Sequence, residues 1–160
     1  MRISLAAIGQ MKSGPERELA DRYFDRFGKI APSLGLEFRG VTQTNESKAR
    51  DAETRKREEA KVLLSGVDDA AKLFLFDERG KPLTSQDFAS TIGKLRDDGT
   101  KSLAFMIGGA DGLHESLRAR ADRIISFGAM TMPHQLVRVL AGEQLYRAAT
   151  ILSGHPYHRE

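Results

Sequence analysis

The chain has 160 residues, 40% hydrophobic and 29% charged, a size and balance that suit one folded domain spanning 1–160. Its 25 Lys and Arg against 22 Asp and Glu leave a net charge of +3, which permits a polyanionic partner without requiring one. Cysteine is absent, which excludes disulfides and thiolate metal sites, and no apolar run approaches the length of a membrane span.

The opening Met1-Arg2-Ile3-Ser4-Leu5 carries one basic residue and turns polar at Gln10, unlike a secretory leader. A cytoplasmic protein is expected. Ile3 to Ile8, closed by Gly9, reads as a buried strand. Pro15 and Glu16 start a helix with an apolar stripe of Leu19, Tyr23, Phe24 and Phe27, and Gly28 is a candidate end. A second strand follows at Leu36 to Val41.

The segment 46–64 is different in kind. Glu46 and Arg50, Asp51 and Arg55, and Glu53 and Arg57 are acid-before-base pairs spaced for an exposed helix. The charges nearly cancel, which favours a solvated helix or loop over an RNA-facing basic helix. Lys72 to Asp77 is a continuous apolar strand ending in an acid, and 78–82 reads as a turn before a helix capped by Thr84 or Ser85. The helix passes through Phe88, Ile92 and Leu95. Leu103 to Ile107 is a further buried strand. A short helix near His114, a strand at Arg123 to Phe127 and a long helix opened by Pro133 complete the pattern.

Strands alternating with helices, and apolar enough to be covered on both faces, predict an α/β fold with a largely parallel sheet of about five strands flanked by helices. Ligands of such sheets sit beyond the carboxyl ends of the strands. Three loops should therefore converge: the one after Phe76-Asp77, the one at Gly108-Gly109, and 128–133. The glycine loop is neither G-x-G-x-x-G nor a Walker sequence, which counts against a nicotinamide-dependent oxidoreductase. The loop Gly128-Ala129-Met130-Thr131-Met132-Pro133 offers main-chain groups and an apolar wall to a planar base, although methionines there could equally fill core gaps.

The final stretch is unusually rich in functional side chains. His155-Pro156-Tyr157-His158-Arg159 combines a phosphate-binding cation, a stacking ring and a proton carrier, which suits gripping a nucleotide. Two tail histidines without a third ligand make a poor metal site. In the last helix, Leu136, Leu140, Leu145, Ala148 and Leu152 make an apolar surface wider than one stripe, as expected of a dimer face or a central helix. Gly142 in mid-helix suggests close approach of another helix.

F-D-E-R-G-K-P-L-T-S from Phe76, F-M-I-G-G from Phe105, M-T-M-P-H-Q-L-V-R-V-L from Met130 and H-P-Y-H-R-E from His155 together resemble the ribosomal large-subunit methyltransferase H family of the SPOUT superfamily. The resemblance covers essentially the whole chain and is strongest after Leu73. Two departures are Ser126-Phe127-Gly128, where the family tends to Ser-Leu-Ser, and Ala141-Gly142, where a second Leu is usual. It implies a SPOUT-type C-terminal trefoil knot, S-adenosyl-L-methionine as cofactor with no metal, a homodimer, and N3-methylation of a pseudouridine in helix 69 of 23S rRNA in the assembled 70S ribosome. It places Phe76, Gly109 and Gly128 to Pro133 (Gly128, Ala129, Met130, Thr131, Met132, Pro133) around the cofactor. The expected catalytic group is Tyr157, His158 and Arg159 holding and activating the base, with Arg147 stabilising charge or phosphate. Rival readings are a related knotted methyltransferase acting on tRNA and a non-enzymatic ribosome-associated RNA-binding protein.

Overall fold

The computed structural model describes residues 1–159. Five strands form one parallel sheet: β1 (Arg2–Ile8), β2 (Glu37–Thr44), β3 (Lys72–Pro82), β4 (Ser102–Ile107) and β5 (Arg123–Ser126), in the order β2-β1-β4-β3-β5. Helices cover both faces. On one lie α1 (Pro15–Ile30), α3 (Ser85–Asp97) and α5 (His134–Leu152), which bury Phe24, Phe27, Phe88, Ile92, Leu145 and Ala148 against Ile3, Leu5, Phe74, Phe76 and Phe105. On the other, α2 (Ala52–Ser65) and α4 (Glu115–Arg120) bury Ala60, Leu63 and Leu117 against Ile8, Leu73, Leu75, Ala104 and Met106. This alternation along each strand explains why β3 and β4 read as unbroken apolar runs.

Several boundaries differ from expectation, each for a packing reason. Helix α1 does not stop at Gly28; it runs to Ile30 and tightens into a 3-10 turn, Ala31–Leu34, ended by Gly35 at φ 71°. Ala31 is fully buried, and burying that extra turn outweighs the roughly 1 kcal/mol that glycine costs inside a helix. In α2 the expected acid-before-base pairs do not form. Asp51 caps the helix by accepting from the Thr54 N–H at 2.8 Å, Glu53 pairs with Lys56 at 2.7 Å, and Arg55 reaches out of the helix to Asp111 at 2.6 Å. Tertiary partners thus replaced the neighbours on the helix.

The stretch read as a turn at 78–82 is instead an excursion of β3. Pairing with β5 slips between Phe76 and Lys81, so Ile125 lies opposite both. At this pinch a Cβ on Gly80 would sit 2.6 Å from the Ile125 backbone, so only glycine lets the two chains touch. Such a backbone-to-backbone crossing is what a knotted C-terminus needs.

Helix α5 is the central helix of its face, packed on both α1 and α3. Its wide apolar surface is largely spent inside the chain: Leu145 and Ala148 are buried, and a Cβ on Gly142 would lie 3.3 Å from Tyr23 and Phe24 of α1. Leu136, near its start, stays 45% exposed. No helix among the described residues is long and apolar enough to cross a membrane.

Candidate active site

Because all five strands run in one direction, the loops that leave their carboxyl ends gather at one edge of the sheet. A cavity of about 290 Å³ opens there, lined by the 76–79 turn of β3, the 107–113 glycine loop, the 125–132 loop and the start of α5 at His134 and Val137. Of the expected cofactor residues, Phe76, Gly109, Gly128, Met130, Thr131 and Met132 line it. Ala129 and Pro133 belong to the loop without lining the cavity, and Pro133 is the N-cap of α5.

The wall is apolar on one side and polar on the other. Phe76 stacks on Phe127 at 4.8 Å and 17°, and on Phe105 at 5.5 Å. The Phe127 that departs from the usual Leu therefore continues an aromatic row from the core to the cavity. The Ser126 hydroxyl donates to the Gly128 carbonyl at 2.7 Å and accepts from the Gly128 N–H at 3.1 Å, which turns the loop outward. Thr131 donates to Glu78 at 3.3 Å, tying this loop to the β3 excursion.

The polar side holds residues that sequence reasoning did not single out. Asp77 and Arg118 form a nearly buried ion pair, with Arg118 Nη2 at 2.7 Å and Nε at 3.1 Å from Asp77 Oδ2. The other Asp77 oxygen accepts the Arg79 N–H at 2.9 Å. Behind the glycine loop lies Glu59, 6% exposed, whose Oε1 accepts the Ser47 N–H at 3.0 Å. A Cβ on Gly109 would come within 3.1 Å of this carboxyl and 3.0 Å of Ile8, so Gly109 is glycine because Glu59 occupies the space. Arg138, fully buried in α5, donates to the carbonyls of Ile8 and Gly9, and to Gln43 at 3.0 Å. It pins the ends of β1 and β2 beside the cavity. An acid ending the β3 run was the one visible sign of Asp77; nothing local marks Arg118, Glu59 or Arg138.

Burial, helped by the nearby Glu46 and Asp111 charges and opposed by the Ser47 N–H, raises the Glu59 carboxyl above its ordinary range. A raised folded-state pKa adds stability at low pH that is lost as pH rises through the folded value. Glu59→Gln keeps an acceptor for Ser47 and removes this dependence. Its melting temperature should therefore exceed that of the wild type by roughly 2–4 °C near neutrality, the shift produced by about 1 kcal/mol in a chain of this size. The difference should shrink in acid. Calorimetric melts across pH measure it; a lower melting temperature near neutrality contradicts the account.

The tail is elsewhere. His155 turns the chain back by donating its N–H to Thr150 at 2.9 Å, and its ring accepts the Tyr157 N–H at 3.2 Å. The Tyr157 hydroxyl donates to Glu143 Oε1 at 3.2 Å. Arg147 Nε donates to the same oxygen at 2.9 Å, and its guanidinium lies 4.8 Å over the Tyr157 ring. Arg147 also approaches His158 Nδ1 at 3.3 Å. The structure thus brings Arg147, Tyr157 and His158 together, with Arg159 exposed beside them. It does not bring them to the cavity: thirteen residues separate His134 on the cavity wall from Arg147, about 20 Å along one straight helix.

Charge states follow from these contacts. Burial, then the neighbouring Tyr23 hydroxyl, pushes the Tyr157 phenol well above its usual range, so it remains a donor. Bonding to Glu143 holds Arg147 firmly cationic. Arginine only donates, so in neutral His158 the Nδ1 facing it accepts and Nε2 carries the proton.

The described chain matches the family model "Predicted SPOUT methyltransferase" over residues 1–158. It is 58% identical over 159 residues to the ribosomal RNA large subunit methyltransferase H of Mesorhizobium japonicum and 60% identical over 159 residues to that of Rhizobium leguminosarum, covering 99% of both chains in each case. Its fold is similar to a probable methyltransferase from Bordetella pertussis, with a TM-score of 0.52 at 13% identity over 92% of this chain and 93% of the other. A probable methylase family protein from Haemophilus influenzae gives a TM-score of 0.53 at 13% identity, over 99% of this chain and 70% of that one.

Proposed function

We propose, from the fact that the chain belongs to the SPOUT methyltransferases and within them to the ribosomal RNA large subunit methyltransferase H family, that it methylates large-subunit ribosomal RNA. Its cofactor is S-adenosylmethionine, which when bound supplies a methyl group activated on a sulfonium. The residues present fit that group. Gly109 and Gly128 leave the main chain accessible, Phe76, Ile125 and Phe127 form an apolar wall for a purine, and Asp77 and Glu78 face the cavity with negative charge suited to a cationic ligand.

At the finer level, the acceptor is N3 of a pseudouridine in helix 69 of 23S rRNA, within the assembled 70S ribosome. The imide N3–H must lose its proton as nitrogen attacks, so negative charge grows on the flanking carbonyl oxygens. The tail supplies donors for them: the His158 Nε2–H, the Arg159 guanidinium and the Tyr157 ring as a platform, with Arg147 as an invariant cation beneath. Tyr157, held protonated, is not the base. One observation carries the assembly: within one chain the tail cluster lies about 20 Å along α5 from the cavity. A homodimer in which one copy's tail serves the other copy's cavity closes that gap, and the exposed Leu136 at the start of α5 is available for such a contact. The backbone pinch at Gly80 supports a knotted C-terminus that holds the cofactor loop.

Mass spectrometry of large-subunit rRNA from cells lacking the gene, with and without the gene restored, tests the reaction. Loss of one N3-methylated pseudouridine on deletion, and its return on restoration, is expected. A missing methyl mark in tRNA instead supports the tRNA-acting alternative. Calorimetric titration with S-adenosylmethionine separates both from a non-enzymatic binder.

A further inference from the structure

The net charge of +3 is small, but its distribution is uneven. At the edge of the sheet away from the cavity, cations are consumed in pairs: Arg2 with Asp68 at 2.8 Å, Lys72 with Asp122 at 2.7 Å and Arg120 with Asp69 at 4.0 Å. At the cavity edge the paired cations are structural. Arg118 is held by Asp77 on the wall, and Arg55 grips Asp111 of the glycine loop at 2.6 Å while donating to the carbonyls of Ala49 and Arg50 at 3.0 Å. Arg55 thereby fastens the 49–51 segment to one rim of the cavity. The Ser47 N–H on Glu59 fixes the residue just before it.

That leaves Lys48 and Arg50 exposed on this rim, and Arg79 and Lys81 exposed on the opposite rim, where the β3 excursion carries them. None of the four has an ion-pair partner among the described residues. Exposed cations without partners on both sides of one opening suit a polyanion crossing it.

We propose that Lys48, Arg50 and Lys81, together with Arg79, grip backbone phosphates of an RNA strand on either side of the nucleotide presented to the cavity. This surface rests on the proposed RNA substrate, and gives the charged 46–61 segment a role its balanced composition conceals. The cations position the strand without reading its sequence. An acidic peptide is the rival occupant, and would show no salt-linked preference for RNA.

The experiment measures binding of a labelled stem-loop RNA over a salt series, with full-length wild type and the triple variant K48Q/R50Q/K81Q. Each lost phosphate contact lowers the slope of log affinity against log salt by about 0.7 on a single strand, so the slope should fall by about 2 and affinity at ~0.1 M salt by about a hundredfold. K101Q, at the opposite edge, should leave the slope unchanged. An unaltered slope in the triple variant overturns the proposal, as does an equal loss in K101Q, which would reflect net charge alone. Selective binding of a polyglutamate competitor over RNA overturns it in favour of the acidic peptide. If rRNA from the deletion strain keeps its methyl mark, the functional reading fails while the salt slopes still judge this surface.

Discussion

Ending the chain at His155 is expected to abolish methyl transfer while leaving S-adenosylmethionine binding nearly intact. The truncation removes Tyr157, His158 and Arg159, the groups proposed to face the acceptor, and none of them lines the cavity. Losing a single donor to developing charge typically costs about 10²–10³-fold in rate, so losing the set should cost at least ~10³-fold. Stability should change little, because the tail's contacts gather on Glu143 and Arg147 at the surface end of α5. Calorimetry with the cofactor and a single-turnover methylation assay measure the two effects separately. Unchanged turnover removes the tail from the mechanism; a parallel loss of cofactor affinity means that it serves the cavity instead.

The second large effect is complementation. A variant with Gly109→Val should not bind the cofactor, since even one Cβ there meets Glu59 and Ile8. Alone it is expected to be inactive, as is the truncated chain. Mixed and allowed to exchange subunits, the two should recover about a quarter of wild-type activity, because half of the randomly paired dimers contain one site with both an intact cavity and an intact tail. The 20 Å separation along α5 is the reason to expect this. If tail and cavity of the same copy work together, no mixing ratio restores activity, and the two-copy site is wrong.

Much of the architecture was legible from local signals. The apolar runs of β3 and β4, the Pro15 start of α1 and the Thr84 cap of α3 are set by residues within a turn of one another. Loop convergence followed from strand direction, which is why Phe76, Gly109 and the 128–132 loop could be brought to one cavity from the sequence. The helix at 52–65 was misread in its electrostatics, because its best partners lie far along the chain: Arg55 chose Asp111, 56 residues away, over Asp51.

By itself, then, the sequence determined the order of elements, the parallel sheet, the family and the identity of the chemistry-bearing tail, since each rests on spacing or on contiguous residues. The tertiary structure alone decided what depends on encounters between distant segments. It put Asp77 against Arg118 across 41 residues, Glu59 in the space that makes Gly109 a glycine, and Gly80 against the backbone of Ile125. It also separated the tail from the cavity that the sequence seemed to join to it. An α-helix is a rigid spacer of 1.5 Å per residue, and so adjacency along α5 became distance between its two ends.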